Sequence, residues 1–287
     1  MDTPDTANAA VTAPTPHTND SPVPTGEAFQ LTSGLAEAYE AQFVPAFFAQ
    51  WAPPLLDAAG VTIGQRVLDV ACGTGIVART AAGRVGASGA VTGLDLNKAM
   101  LAVARRLRPD LTWRQGDAAA LPFESGSFDV ALSQMALMFF PDPAAALREM
   151  ARVTRPGGAV AVLIPARTDR NPPYQSFVDI VTRHAGPAAR SLVTTYFALG
   201  DRAHLLGLFS AAGLRVAATR RPTGEIRYGS IDQAAQVELD STPLGARLEA
   251  GVRERILAGC RVAFAPYQTQ TGLVLPFECL LVVAHAP

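Results

Sequence analysis

A short apolar segment followed at once by a glycine-rich turn constrains this chain more than any other feature. The segment spans residues 67–71, and the turn is Cys72-Gly73-Thr74-Gly75. A segment this short, bounded by glycine, predicts a buried strand. The apolar spacing that follows over 76–82 predicts a helix, so the chain is expected to form a strand, a tight turn and a helix here.

The alternation of strand and helix continues to residue 164. Further strands are predicted at 91–94, 111–115, 128–133 and 159–164, with helices in several of the connections. Strands that alternate with helices form a parallel sheet with right-handed crossovers. Ligands of such sheets bind beyond the carboxyl ends of the strands, so the residues at those ends are the candidates for a site.

Polar side chains lie within or at the ends of four predicted strands. Asp69 lies inside the first strand, where it suits a ligand that carries an ammonium group near the glycine turn. Asp95 ends the second strand and is placed to accept hydrogen bonds from both hydroxyls of a ribose. Asp117 follows the third strand, where it suits an adenine amino group, and Ser133-Gln134 ends the fourth. We therefore expect one crevice to receive all four segments.

Together these segments resemble the class I S-adenosylmethionine-dependent methyltransferases. Within that class the chain is similar to the group of the ubiquinone- and menaquinone-biosynthesis C-methyltransferases and many small-molecule methyltransferases. The resemblance covers roughly residues 64–164 and is much more specific than a glycine turn alone. The matching segments are 67–75, 93–97, 115–118, 121–123, 127–129 and 147–153 continuing to 157–158.

The resemblance implies an α/β fold. It predicts a Rossmann-like sheet of seven strands, mostly parallel with the last strand antiparallel, and a helical cap. The expected divisions are a disordered tail (1–28), an N-terminal helical lid (29–63), the cofactor-binding core (64–164), a cap insertion (165–200), a continuation of the core (201–228), a second cap insertion (229–272) and a final core strand (273–287).

The resemblance also implies S-adenosylmethionine as cofactor and S-adenosylhomocysteine as product. The residues expected to bind the cofactor are Tyr39, Asp69, Gly73, Thr74, Gly75, Asp95, Leu96, Met100, Asp117, Ala118, Ser133 and Gln134. The residues expected to contact a small-molecule methyl acceptor are Phe43, Met138, Tyr174, Tyr196 and Phe197. No catalytic side chain is assigned, because the cofactor supplies the reactivity. A base is needed only if the acceptor loses a proton; His184 is the first candidate, followed by Glu238 and Asp240.

A second motif, Asn171-Pro172-Pro173-Tyr174, matches the N-P-P-Y motif of methyltransferases that act on adenine amino groups. In those enzymes the motif directly follows the fourth strand, whereas here it follows the predicted fifth strand. We therefore interpret it as a proline-rich turn that starts a helix.

The composition excludes several classes of partner. The formal net charge is −1 and 17% of the residues are charged, so we expect no nucleic-acid partner. Three scattered cysteines and four histidines without metal-ligand spacing predict a cytoplasmic protein with reduced thiols and no metal. No apolar run approaches the ~20 residues that cross a bilayer. A homodimer is left open as an assembly.

The predicted function is methyl transfer to carbon or oxygen of a small, largely apolar molecule. Three alternatives stay open at this point. The same fold can hold the cofactor and promote a rearrangement or elimination without methylation. A non-catalytic cofactor-binding protein would share the cofactor site, and a nicotinamide oxidoreductase would share the glycine turn.

Overall fold

A computed structural model describes residues 32–240 and 244–287. The predicted tail at 1–28 lies outside the described residues, as does the start of the predicted lid. The described residues form one sheet with helices around it. Its strands are β1 (Arg66–Val70), β2 (Ala90–Asp95), β3 (Thr112–Gln115), β4 (Phe128–Gln134), β5 (Thr154–Pro165), β6 (Arg215–Arg220), β7 (Thr223–Tyr228), β8 (Gln268–Thr269) and β9 (Gly272–His285).

Nine α-helices lie in the described ranges, and short 3₁₀ turns connect several of them. The α-helices are α1 (Ser33–Ala38), α2 (Ala52–Ala59), α3 (Ile76–Val85), α4 (Lys98–Leu107), α5 (Pro143–Val153), α6 (Pro172–Thr194), α7 (Arg202–Ala211), α8 (Ile231–Asp240) and α9 (Ala250–Phe264). The 3₁₀ turns are Ala49–Trp51, Leu137–Phe139, Thr168–Arg170, Thr195–Phe197, Gly245–Arg247 and Ala265–Tyr267. Asn97 caps α4, because its side chain accepts from the amides of Ala99 and Met100.

The main path of the sheet has the strand order β3-β2-β1-β4-β5-β9-β6. Strands β1 to β5 pair in parallel, whereas β9 is antiparallel to both β5 and β6. The predicted Rossmann-like α/β sheet, mostly parallel with an antiparallel last strand, is therefore confirmed. This order places the carboxyl ends of β4, β1, β2 and β3 next to one another, which is where the polar strand-end residues were predicted to meet.

Strand β9 extends beyond the predicted final strand and pairs with different neighbours along its length. Residues 279–285 pair with β5 and β6, and residues 273–278 pair with β7. The main path holds the seven predicted strands, and β7 and β8 add two that the prediction lacked. Among the described strands both pair only with β9. Because β7 lies far from β9 along the chain, local sequence patterns do not reveal this pairing.

The N-terminal lid runs helically through a proline. Pro45 does not divide it into two short helices, although a proline normally ends an α-helix. Tyr39–Phe48 forms one π-helical segment with Pro45 inside it. Hydrogen bonds in a π-helix run between residues five apart, so the wider turn accommodates a ring that would clash with the carbonyl four residues back in an α-helix.

The two predicted cap insertions contribute helices that contact each other. Helix α6 packs against α9, and α9 packs against α8. The backbone of α6 leaves helical geometry at Gly186, where φ is 84° and ψ is 178°, immediately before Pro187. The lid is joined to the same region, because the Gln50 side chain exchanges hydrogen bonds with the backbone of Glu225 on β7.

Candidate functional site

The glycine turn after β1 packs closely against a tryptophan of β3. Gly73 and Gly75 have φ angles of 55° and 88°, which glycine adopts without strain. A Cβ atom at Gly75 would lie 2.3 Å from Cη2 of Trp113. Glycine is therefore required at Gly75 both by the backbone conformation and by the indole ring, and α3 begins at the next residue.

Asp95 at the end of β2 holds this turn from the neighbouring strand. Its Oδ2 accepts a hydrogen bond from the Gly73 amide at 2.7 Å, and its Oδ1 accepts one from the Asn97 amide at 2.8 Å. Burial raises the pKa of Asp95, and these backbone amides oppose the shift. The Asp95 carboxylate thus lies directly against the glycine turn, and its contact with a ribose stays a prediction.

Asp69 on β1 is a deeply buried carboxylate of the site, with only 1% of its surface exposed. Its Oδ2 accepts a hydrogen bond of 2.9 Å from the amide of Ala78 on α3. Burial raises the pKa of Asp69 to about 7; the Ala78 amide opposes that shift and the charge of Asp95 adds to it. A carboxyl group that titrates near neutrality gains from a cationic ligand, which suits the predicted ammonium partner.

A cavity lies at the carboxyl ends of β1 and β4. The structure brings four of the predicted cofactor residues together around it, namely Tyr39, Asp69, Gly73 and Gln134. Sequence reasoning missed the remaining lining residues, which are Phe48, Ala71, Cys72, Ile76, Val77, Met135 and Ala136. All but Phe48 directly follow β1 or β4 or begin α3, so their proximity to the strand ends was the available signal.

Two non-glycine residues of the cavity wall have positive φ angles. Ala71 follows β1 with φ 56°, and Met135 follows β4 with φ 55°. A residue with a Cβ atom pays about 1–2 kcal/mol for this conformation. Because β1 and β4 are neighbours in the sheet, both strained residues border the same cavity, and strain of this kind is concentrated at functional sites.

Buried polar atoms without a hydrogen-bond partner occur in the glycine turn and at the end of β4. Among the described residues, Thr74 Oγ1, Ser133 Oγ and Gln134 Oε1 are such atoms. The Gln134 Nε2 atom donates to the Phe48 carbonyl at 3.0 Å, so the side chain is held in place while its oxygen stays available. Of these three residues Gln134 lines the cavity, and because buried polar groups are normally paired, its unpaired oxygen indicates a polar ligand there. Together with Asp69 it suits the amino-acid end of S-adenosylmethionine.

The lid covers the glycine turn with an aromatic ring. The Cε1 atom of Tyr39 lies 4.0 Å from where a Cβ of Gly73 would be. The Tyr39 ring packs on Phe43 and Phe48, with centroid separations of 6.1 and 5.0 Å. Burial raises the pKa of the Tyr39 hydroxyl, so this group stays protonated as a hydrogen-bond donor. Phe43, expected to contact the acceptor, thus supports Tyr39 from the side.

Four further predicted cofactor residues lie beyond Asp95, after β2, in α4 or after β3, namely Leu96, Met100, Asp117 and Ala118. They do not line the cavity, and neither do Thr74, Gly75, Asp95 and Ser133. Leu96 is 49% exposed, which leaves an apolar surface next to Asp95. Asp117 is exposed, and its Oδ1 accepts from the Ala119 amide at 2.8 Å. Ala118 and Met100 are 7% and 9% exposed. An apolar side chain beside a carboxylate at adjacent strand ends suits an adenosine group.

Most of the predicted acceptor residues lie in an aromatic cluster between lid and cap. Tyr174 packs on Phe197 and Phe277, with centroid separations of 5.4 and 5.2 Å. Tyr196 stands edge-on against Phe139 at 5.1 Å. Met138 is 4% exposed in the turn after β4. None of these side chains lines the cavity around Asp69, so their contact with an acceptor stays a prediction.

The three candidate bases occupy different environments. His184 is half-buried on α6 and does not line the cavity. Asp240 is exposed and pairs with Arg253 at 2.8 Å. Oε1 of Glu238 accepts hydrogen bonds from the hydroxyls of Tyr174 and Tyr228 at 2.7 and 2.8 Å. Glu238 is therefore the candidate that the structure places among aromatic side chains of the cap.

Asn171 is a structural residue, as its position after the fifth strand predicted. It is completely buried. Its Nδ2 donates to the carbonyls of Ala166, Arg167 and Glu278, each at 3.2 Å, and its Oδ1 accepts from the Glu278 amide at 2.7 Å. These bonds join the start of α6 to β9, and the helix begins at Pro172.

Across 32–240 and 244–287, no three or more His, Cys, Asp or Glu side chains are grouped so that they could hold a metal ion. In the same part of the chain, no helix combines the length and apolar character that a membrane span requires.

Comparisons with known proteins match the region that contains the glycine turn and the strand ends of the candidate site. Residues 68–162 match the family model of a methyltransferase domain. The demethylmenaquinone methyltransferase of Renibacterium salmoninarum is 44% identical over 113 residues, which cover 39% of this chain and 46% of that protein. The ubiquinone/menaquinone biosynthesis C-methyltransferase of Hahella chejuensis is 38% identical over 149 residues, 50% of this chain and 59% of that protein. The chain spans about half the length of the curated relatives it matches.

Solved structures share the fold over most of the chain. The YcgJ protein of Bacillus subtilis covers 82% of this chain and 97% of its own, with a TM-score of 0.57 and 20% identity. A SAM dependent methyltransferase of Aquifex aeolicus covers 90% of this chain and 100% of its own, with a TM-score of 0.54 and 14% identity. Residues 68–162 thus match a methyltransferase domain, and the chain shares the fold of these solved structures.

Proposed function

We propose that this protein transfers a methyl group from S-adenosylmethionine to carbon or oxygen of a small, largely apolar molecule. One observation carries the proposal: the adjacent strands β1, β2 and β3 carry Asp69, Asp95 and Asp117 within or just after them, around a glycine turn. Three carboxylates in this row match three hydrogen-bond-donating parts of the cofactor, which are its ammonium group, its ribose and its adenine. Names of curated relatives support the same activity.

Each carboxylate has a proposed role that follows from its position. Asp69 pairs with the ammonium group at the closed end, where burial makes an ion pair strong. Asp95 accepts from the ribose hydroxyls, and Asp117 with Ala118 binds the adenine edge. Leu96 and Met100 contact the faces of the adenine. The glycine turn lets the backbone approach the ligand without an intervening Cβ atom.

The protein contributes position and exclusion of water more than reactive groups. When bound, the cofactor supplies an electrophilic methyl group on a sulfonium. Tyr39 and Phe48 cover the cavity, and Gln134 lies at its β4 side. Alignment of this kind accounts for a large part of the rate of a displacement between two bound molecules. No base is required for an acceptor that is already a nucleophile.

The chemistry of the lid and cap supports a small, apolar acceptor. Phe47, Phe48, Phe197 and Phe277 belong to one aromatic cluster above the sheet. The names of the relatives, which concern quinone biosynthesis, support an apolar ring compound as acceptor. A formal net charge of −1 supports an acceptor other than nucleic acid.

Location and assembly remain proposals. Three buried cysteines without disulfide partners support a reducing compartment such as the cytoplasm. The homodimer stays a prediction, which sedimentation velocity tests by the mass of the particle.

Calorimetry and a transfer assay test the proposed function. We expect the intact chain to bind S-adenosylmethionine and S-adenosylhomocysteine, and not NAD. Incubation with isotopically labelled S-adenosylmethionine and a panel of apolar phenols and quinols should give a product that carries the label. Binding without label transfer to any acceptor would favour a non-methylating or purely binding role. Binding of NAD alone would contradict the proposal.

A further inference from the structure

Two aromatic rings of the lid form part of the wall of the cavity at the ends of β1 and β4. Tyr39 and Phe48 are the first and last residues of the π-helical segment, and both line the cavity. Their ring centroids are 5.0 Å apart, with an angle of 36° between the ring planes. We call Tyr39 and Phe48 the ring pair. Aromatic rings give a cavity apolar surface together with the negative potential of their π-systems.

The ring pair is held in position by its neighbours. The Phe48 carbonyl accepts a hydrogen bond of 3.0 Å from Nε2 of Gln134 on β4. The Phe48 ring stands edge-on to Phe47 at 4.9 Å, and the Tyr39 ring stacks on Phe43 at 6.1 Å. Rings that are already held in place lose little conformational freedom when a ligand binds, so more of the contact energy contributes to affinity.

The rest of the cavity wall is suited to a positive charge. Among the described residues that line the cavity there is no Lys, Arg or His, and Asp69 carries the one carboxyl group. Nε2 of Gln134 is used by the Phe48 carbonyl, so the atom left for a ligand is Oε1, a buried acceptor without a partner among the described residues. A carboxylate, an amide oxygen and two aromatic rings all attract positive charge. The cavity is therefore complementary to a cationic ligand.

S-adenosylmethionine carries two positive charges that need different partners. Its ammonium group has N–H donors, which suit the carboxylate of Asp69 and the oxygen of Gln134. Its sulfonium has no hydrogen on the charged atom and cannot donate a hydrogen bond in this way. Aromatic rings stabilise cations of this kind, as they do quaternary ammonium groups. The ring pair thus supplies the type of contact that the polar groups of the cavity do not.

The ring pair also lies in the part of the cavity that suits the sulfonium. The sulfur of the cofactor links its amino-acid chain to its ribose, the groups proposed for Asp69 and Asp95. Gly73 connects these two positions, because it lines the cavity and its amide donates to Asp95 at 2.7 Å. Cε1 of Tyr39 lies 4.0 Å from where a Cβ of Gly73 would be. Burial raises the pKa of the Tyr39 hydroxyl, and the charges of Asp95 and Asp69 are among those that raise it further, so Tyr39 lies near both carboxylates.

We propose that Tyr39 and Phe48 recognise the sulfonium of S-adenosylmethionine by cation–π contact, and that they thereby distinguish the methyl donor from its uncharged product. The inference rests on the proposed function for the identity of the ligand. It assigns the ammonium group to Asp69 and Gln134 and the sulfonium to the ring pair. When the methyl group leaves, the electron pair of its bond stays on sulfur, so the product is a neutral thioether that gains nothing from cation–π contact.

The affinities of S-adenosylmethionine and S-adenosylhomocysteine test the proposal on the full chain. The two ligands share the ammonium group, the carboxylate, the ribose and the adenine, and they differ in the charged methylsulfonium. Calorimetry near pH 8, above the Asp69 pKa of about 7, gives both dissociation constants for each variant. The measured quantity is the dissociation constant of S-adenosylmethionine divided by that of S-adenosylhomocysteine, because changes in the shared contacts cancel in this ratio.

Loss of either ring should raise the ratio. We expect Phe48→Leu and Tyr39→Leu each to raise it about three- to thirtyfold, the range of a partly or fully desolvated cation–π contact. Tyr39→Phe keeps the ring and should leave the ratio within about twofold of wild type. Ile76→Ala is the matched control, since Ile76 lines the same cavity with an aliphatic side chain and its truncation should weaken both ligands alike. An unchanged ratio in both leucine variants would overturn the proposal, as would an equal rise in Ile76→Ala.

A graded series at Phe48 tests the contact while the wall keeps its shape. 4-Fluoro-, 3,5-difluoro- and 3,4,5-trifluorophenylalanine are close to phenylalanine in size, but each added fluorine weakens the negative potential of the ring face. Affinity for S-adenosylmethionine should fall stepwise along the series, while affinity for S-adenosylhomocysteine stays constant. Circular dichroism shows that each protein is folded. The absence of a trend with the number of fluorines would contradict a cation–π contact at Phe48.

The same measurements distinguish this proposal from the proposed function. If wild type binds both ligands and the ratio does not respond to the rings, S-adenosylmethionine remains the cofactor and only the role of the ring pair is wrong. If wild type binds neither ligand, the proposed function fails and the inference fails with it.

Discussion

The Arg79 guanidinium donates hydrogen bonds to both carboxylate oxygens of Glu40, at 2.8 and 3.0 Å. The pair joins α3, which follows the glycine turn, to the lid segment that carries Tyr39. Its side chains are 20% and 17% exposed, so water screens it less than an ion pair at the surface. Arg79 also donates to the Gly75 carbonyl at 3.3 Å, which connects the lid to the turn itself.

Removal of this pair should weaken cofactor binding. We expect Arg79→Met to raise the dissociation constant for S-adenosylmethionine about three- to tenfold, since Tyr39 is then held less firmly over Gly73. Calorimetry measures the change. Arg84→Met is the control, because Arg84 lies on the same helix but pairs with the largely exposed Asp57. An equal effect of both substitutions would mean that the lid contact is unimportant.

The pKa of Asp69 predicts opposite effects of pH on binding and on stability. Its folded-state pKa of about 7 lies above the ordinary value of 3.8. An ammonium group binds the ionised form, so affinity for S-adenosylmethionine should rise as pH increases through 7 and level off above it. Below 7 it should fall by up to about tenfold per pH unit. Asp69→Asn should bind weakly at all pH values without this dependence.

Stability should change in the other direction. The raised pKa means that the neutral Asp69 carboxyl favours the folded state; this contribution is complete below pH 3.8 and is lost as pH rises through about 7. The pKa values of Asp95 and Glu238 are also raised by burial, so they act in the same direction. The ligand-free protein should therefore melt at a higher temperature near pH 6 than near pH 8. A wild-type melting temperature no more pH-dependent than that of Asp69→Asn would contradict the assigned pKa.

The contact between Gly75 and Trp113 predicts a large effect of one methyl group. Gly75→Ala combines a positive φ with a Cβ atom 2.3 Å from the indole. We expect it to lower the free energy of unfolding by about 2–4 kcal/mol, measured in urea. Gly83→Ala, in α3 with no atom within 4 Å of the added Cβ, should be neutral or stabilise by up to about 1 kcal/mol. Similar effects at both positions would show that the indole is not in contact.

We expect Asn171 to contribute to the stability of the fold and not to the binding of S-adenosylmethionine. Asn171→Ala removes four hydrogen bonds of a completely buried side chain, so we expect a loss of about 2–4 kcal/mol in the free energy of unfolding. Affinity for S-adenosylmethionine should be unchanged in the folded variant. Gln175→Ala is the control, because Gln175 is half-buried on the same helix and donates to the exposed Asp179 at 2.9 Å. A selective loss of cofactor affinity in Asn171→Ala would restore the N-P-P-Y motif as part of the site.

Local sequence patterns were sufficient to predict which side chains lie at the strand ends of the candidate site. Asp69, Asp95 and Asp117 could be placed because each lies in or just after a short apolar strand, and parallel sheets bring such ends together. The contact of Trp113 with Gly75 and the hydrogen bonds to Glu238 could not be predicted. They depend on side-chain packing between segments that are distant in sequence.

The π-helical segment of the lid and strand β7 likewise could not be predicted from local sequence patterns. Pro45 normally ends an α-helix, and the π-helical turn that accommodates it has no distinct local pattern. Strand β7 is defined only by its pairing with the first half of β9. Both features depend on neighbouring elements, since Gln50 of the lid bonds to Glu225 of β7.

The affinity of Asp95→Ala for S-adenosylmethionine tests the central claim most directly. Asp95 lies in the middle of the row of carboxylates, and loss of its hydrogen bonds to a ribose should raise the dissociation constant about tenfold to a hundredfold. Asp110→Ala is the charge-matched control, because Asp110 is exposed and bonds to Arg108 at 2.6 and 2.8 Å. The account predicts a large loss for Asp95→Ala and none for Asp110→Ala, both measured by calorimetry on folded protein. Unchanged binding by Asp95→Ala would contradict it.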